Sequence, residues 1–204
     1  EIRFAIINNH NTSELIVPNE RYTEPLVIDE SCTVIAQSYF EGKPVFKSAS
    51  LKLEKVTPKQ ATQVSLVIEG TLKMSVYSGD WDEMPNFDTM KADAVEYVGA
   101  ISPKPEAELQ GRLFEGYIKV DKDDMYIFTL TSDDGSNLYV HDELIIDNDG
   151  LHGPQQMNGS IALSKGWHPI RAEWFNKTGG ATLNLRVGTL GGELYDVDAS
   201  MIAR

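Results

Sequence analysis

The sequence predicts an all-β protein. Short runs of β-branched and aromatic residues alternate with polar ones at period two, Gly, Pro, Asn and Asp punctuate the runs, and no long window carries a convincing 3.6-residue period. In YIFTLT, Tyr126, Phe128 and Leu130 share one face. In HPIRAEWF, Ile170, Ala172 and Trp174 do so, while Arg171 and Glu173 point the other way. ATLNLRV repeats the pattern with Leu183, Leu185 and Val187. DTMKADAVEYV, at 88–98, comes nearest to a helical period and reads as a loop or a single turn.

The elements fall into two groups. Residues 1–56 hold three or four short strands, enough for a small sandwich if strands are shared or supplied from upstream. The opening EIRFAII reads as the middle of a strand, so we expect a piece of a longer protein. The pattern lapses at KVTPKQATQ, and residues 57–69 are expected to form a linker or connecting strand. Residues 70–204 then carry strands at a spacing of roughly 8–12 residues, as in a larger antiparallel sandwich or barrel. SPKPEAELQG, at 102–111, is a polar loop within this part.

Charge is uneven along the chain. The total of −13 divides into eight acids against six bases for residues 1–56 and twenty-three against twelve for the rest. Such a field repels phosphate backbones, and no basic patch opposes it, so nucleic acid is not expected as a partner. No apolar run approaches the roughly 18 residues of a membrane span. Cys32 is the single cysteine. It excludes an internal disulfide and a paired-thiol zinc site, and its strand-like setting suits a small buried hydrophobe.

Several segments carry a resemblance. LKMSVYSGDWDEMPNFD, RLFEGYIKVDKDDMYIFTLTSDDGSNLYV, LIIDNDGLHG and IALSKGWHPIRAEWFNKTGGATLNLRV occur in the order found in PA14 domains, so most of residues 70–190 resembles that β-sandwich family. NERYTEPLVIDESCTVIAQSYFEGKPVFKSASLKL resembles the immunoglobulin-like module at the C-terminus of chitobiases and β-hexosaminidases. The start, IINNHNTSE, departs from that family's usual turn. The expected fold is therefore a small Ig-like sandwich followed by a PA14-type sandwich.

The acids of TSDDGSNLYVHDELIIDNDGLHG have two readings. Asp133, Asp134 and Gly135 lie between two strand-like runs, as in a hairpin turn. Side chains of adjacent strand residues point to opposite faces, so Asp133 and Asp134 address one ion only across an abrupt bend. The resemblance implies such a bend, a cis peptide joining neighbouring aspartates that hold calcium, with Asn176 as a further ligand from a second loop. Calcium suits carboxylate and amide oxygens on loops. Asn176 also reads as a turn or cap residue. Asp149 and His152 are candidate ligand or sugar contacts, or turn formers; an EF-hand is excluded because its twelfth-position glutamate and flanking helices are missing. Trp81 and Trp167, both expected in loops, could stack on a sugar or anchor the loops.

Catalysis is not expected, since no acid pair stands out and His10, His141, His152 and His168 are scattered without a nucleophile motif. Sequons occur at Asn11, Asn158 and Asn176. The resemblance implies a non-catalytic accessory region of an exported bacterial glycoside hydrolase, similar to β-N-acetylhexosaminidases, that binds a glycan with calcium beside an upstream catalytic domain. A structural spacer and a protein-interaction module are the alternatives.

Overall fold

A computed structural model describes residues 1–8, 16–64, 68–105 and 108–204; His10 and the sequon at Asn11 lie outside them. Contacts divide the chain into two units, Glu1–Thr57 and Pro58–Arg204. The segment 57–69 belongs mostly to the second, where Lys59 bridges to Leu163 and Thr62 N–H donates to Trp167 O.

In the first unit, β1 (Ile2–Asn8), β2 (Glu20–Arg21), β3 (Cys32–Phe40) and β4 (Lys43–Leu53) form one antiparallel sheet of order β2-β1-β3-β4. Cys32 is buried in it. Beyond Cys32, only Phe4 and Tyr39 are buried hydrophobics among this unit's described residues, so its described strands form a single lightly covered layer.

The second unit is a two-sheet antiparallel sandwich. Its strands are β5 (Leu72–Ser78), β6 (Ala94–Val98), β7 (Gln110–Val120), β8 (Asp124–Asp133), β9 (Ser136–Val140), β10 (Glu143–Asn148), β11 (Gln155–Leu163), β12 (Gly166–Asn176), β13 (Thr182–Thr189), β14 (Tyr195–Asp196) and β15 (Ile202–Ala203). One sheet has the order β10-β9-β12-β7-β5-β6, with β15 also on β7; the other is β11-β8-β13-β14. All nine apolar residues assigned to strand faces from YIFTLT, HPIRAEWF and ATLNLRV lie in the shared core. They cluster with Leu138 and Val140 of β9, Phe114 and Ile118 of β7, and Ile161 and Leu163 of β11. Burying each large side chain contributes about 1.5–3 kcal/mol.

Two expectations need correction. Residues 94–98 form β6 rather than loop, after a short 3-10 turn at Phe87–Thr89. β6 is the edge strand of its sheet and largely exposed, so it lacks the buried face that makes a strand readable. Trp167 is not in a loop: it lies in β12, paired with Lys119 of β7. The Gly and Pro around it suggested a break, yet Pro169 sits in register opposite Tyr117.

Candidate functional site

The segment Asp133–Gly135 is not a hairpin. β8 pairs with β11 and β13, whereas β9 pairs with β10 and β12, so the chain crosses from one sheet to the other in passing from Asp133 to Ser136. The Asp133–Asp134 peptide is cis, the form that the resemblance implies. A side chain at 135 has no room: a Cβ there would stand 2.5 Å from Phe175 Cε1 and 3.0 Å from both Asp149 Oδ1 and Gly150 N. Glycine lets the corner pack beneath the neighbouring turn.

Hydrogen bonds gather three segments around this corner. Asp134 is 7% exposed. Its Oδ1 accepts from His152 N–H at 3.1 Å and its Oδ2 from Lys177 N–H at 2.9 Å. Trp174 Nε1–H donates to Asp133 O at 3.1 Å, and Phe175 N–H to Gly135 O at 3.0 Å. The end of β12, with Asn176 buried, is thereby fixed beside the aspartates. A carboxylate has about four lone-pair positions, so the two donors leave Asp134 further capacity.

Asp133 is half-buried, and burial, followed by the charge of Asp134, pushes its carboxyl above the ordinary range, with His152 opposing. Two acids thus crowd one partly dry corner, an environment that a cation relieves. Among the described residues no group of three or more His, Cys, Asp or Glu converges as a metal site. Any ion here would draw on two carboxylates plus amide or main-chain oxygens. Such a hard-oxygen set fits calcium and does not fit zinc.

The other predicted residues divide. Asp149 reaches the corner, where its Oδ1 accepts from Met84 N–H at 2.7 Å and Gly150 N–H at 2.6 Å. His152 contributes its main chain, while its ring nitrogens lie 2.9 Å from Gly153 O and 3.0 Å from Asn148 O. Trp81 is half-buried, edge-on to Phe87 at 6.3 Å, and packs with Tyr77, Phe87 and Leu113. Trp167 is not brought to the corner. It stands nine residues back along β12 from Asn176, about 30 Å at strand rise, with Lys119 Nζ 5.4 Å from its ring centroid.

Sequence reasoning missed Lys177. Its N–H holds Asp134, and its Nζ pairs with Asp82 at 2.6 Å and Asp80 at 3.0 Å. The KTGG turn gave the only hint. It also missed a cavity of about 440 Å³ beside Asp149, whose lining includes Asn137, Arg171 and Glu173.

A two-sheet antiparallel sandwich with polar loops converging at one end defines the class, an all-β sandwich module. The PA14 domain model matches residues 99–200, and the chain belongs to that family. A PA14 sugar-binding domain from an RTX adhesin superposes with a TM-score of 0.58 at 15% identity, covering 67% of this chain and 99% of that one. The epithelial adhesin 9 A domain from Candida glabrata, in complex with Galb1-4GlcNAc, gives 0.53 at 12% identity over 70% and 92%. An anti-sigma factor domain-containing protein gives 0.58 at 15% identity, covering 100% of this chain and 76% of its own. No curated protein sequence matches.

Proposed function

We propose that the second unit is a carbohydrate-binding module in which Asp133, Asp134 and Asn176 hold a calcium ion. The observation that carries this reading is the Asp134 carboxylate, which draws main-chain N–H groups from the 150s turn and the turn after β12 to one corner. The similar RTX-adhesin and epithelial-adhesin domains are described as sugar-binding or sugar-complexed, which supports the same reading. When bound, calcium supplies coordination positions that sugar hydroxyls can take from water. Asp149 holds the loop containing Met84 against the corner, and His152 anchors the opposing turn. A shallow site of this kind binds weakly, on the order of millimolar or −4 kcal/mol.

The first unit serves as a connector, and the whole as the accessory region of an exported bacterial glycoside hydrolase of the β-N-acetylhexosaminidase type. A second reading follows from the anti-sigma factor domain-containing protein, whose match spans both units. On that reading the two units are a spacer or protein-docking region of a non-hydrolytic protein.

Thermal melting in calcium against chelator, followed by a glycan array under both conditions, decides between them. A ligand that binds only the folded form raises the melting point. Calcium-dependent stabilisation with calcium-dependent glycan signals supports the module. An unchanged melting point and a blank array favour the spacer.

A further inference from the structure

The outer face of the larger sheet carries a second polar site. There the loop containing Asp88 overhangs β9 and β12, leaving the cavity of about 440 Å³, within the usual 300–1,000 Å³ of small-molecule sites. Its floor is built from residues whose side chains alternate away from the core. Asn137 and Glu173 are 8% and 6% exposed. Arg171 is committed to two carboxylates, with Nη1 2.7 Å from Asp88 Oδ1 and Nε 2.9 Å from Glu173 Oε1. Glu173 Oε2 meets the Asn137 amide at 3.5 Å, and the Tyr139 hydroxyl also hydrogen-bonds the Glu173 carboxylate. Asn137 Oδ1, buried, accepts no hydrogen bond from the described residues. A buried unpaired acceptor costs about 1–3 kcal/mol, so it marks a position that a ligand donor can satisfy.

The lining includes four carboxylates, counting Asp142 and Asp149, against the one guanidinium. These acids are spread around the wall, and among the described residues none group as a metal cage. Distributed acceptors of net negative charge, a neutral amide and the Tyr139 ring suit a ring-sized molecule carrying several O–H donors and one cationic N–H group. A lysine side chain would fill only a fraction of the volume.

We propose that this cavity binds an amino sugar through its unacetylated primary ammonium, seated among Asn137, Glu173 and Asp142. The site uses no calcium, although it shares Asp149 and the loop containing Met84 with the aspartate corner.

Titration calorimetry on the whole 204-residue chain in excess EDTA tests it. The probes are glucosamine trisaccharide, its fully N-acetylated counterpart, a neutral glucose trisaccharide and a short lysine-containing peptide. We expect the free-amine sugar to bind at least about tenfold more tightly than the other three and to weaken with added salt. Glu173→Gln is expected to abolish binding, but it also disturbs the Arg171 pair. Asp142→Asn is the cleaner variant, because residue 142 has φ 60°, a conformation that asparagine tolerates. It should keep the melting point and weaken amino-sugar binding about fivefold. Equal binding of the acetylated sugar, equal binding of the lysine peptide, binding lost in EDTA, or an unaffected Asp142→Asn variant would each overturn the proposal.

Discussion

Two acidic turns meet at one end of the sandwich, and their aspartates have unequal work. In the corner, Asp134 is buried and holds main-chain donors from two other segments, one of them the second turn itself. In that second turn Asp149 is exposed and holds Met84 N–H and its own neighbour, Gly150 N–H. Both acids accept two N–H groups. The difference is solvent: donors released inside the corner have no water to turn to, whereas those beside Asp149 do. Burial, not residue type, therefore decides what each aspartate is worth.

The largest effect should come from Asp134→Ala, which orphans His152 N–H and Lys177 N–H together. At about 1–3 kcal/mol for each buried donor, a loss of about 3 kcal/mol is expected. For a unit of this size that is roughly a 6–12 °C fall in melting temperature, measured in chelator so that metal binding does not enter. A fall no greater than that of an exposed aspartate would dissolve the contrast. Gly135→Ala comes next. Its Cβ would collide with Phe175 and press on Asp149 Oδ1, so overpacking of about 1–3 kcal/mol is expected, readable as a lower denaturant midpoint.

A histidine pair in the same unit sets the pH range in which this comparison is clean. His141 Nε2 lies 2.7 Å from His168 Nδ1, and His168 Nε2 lies 2.7 Å from Ser164 O. Burial holds both imidazoles below their ordinary 6.5; for His141 the charges of His168 and Lys59 act the same way, and for His168 the Ser164 carbonyl opposes. The unfolded chain therefore binds protons in a window where the folded chain does not. Stability should be complete above about pH 6.5 and decline as pH falls below it. Melting temperatures between pH 8 and 5 would show this, and His141→Gln should flatten the decline while keeping a donor toward His168.

How much of this was legible follows from range. The core faces of β8, β12 and β13 were readable because alternation is local, and the outward set of Arg171 and Glu173 that floors the cavity came with it. The corner was ambiguous. FTLT and NLYV flank Asp133–Gly135 just as hairpin strands would, and only their partners, β13 for one and β12 for the other, show that the turn changes sheets. Those partners are some forty to fifty residues away, beyond any local pattern. Asn137 carries no local signal, because the segment that lines the cavity above it comes from before β6. Trp167 was misplaced for the opposite reason: Gly166 and Pro169 signal a break that strand pairing overrides.

The smallest expected effects on stability, and the sharpest test of the contrast, come from Asp149→Ala and Asp133→Asn. Removing Asp149 leaves Met84 N–H and Gly150 N–H to water, so the loss should be about 0.5–1 kcal/mol, near 2 °C, and clearly below that of Asp134→Ala. The Asp133 carboxylate carries the like charge of its neighbour in a half-buried setting. Asp133→Asn removes that repulsion while keeping the shape, so in chelator its melting point should equal or slightly exceed that of the parent. In calcium the order should reverse, because the variant offers one carboxylate where the parent offers two. If Asp133→Asn gained as much from calcium as the parent, the pair would be a structural corner alone, and the metal would bind elsewhere on the chain.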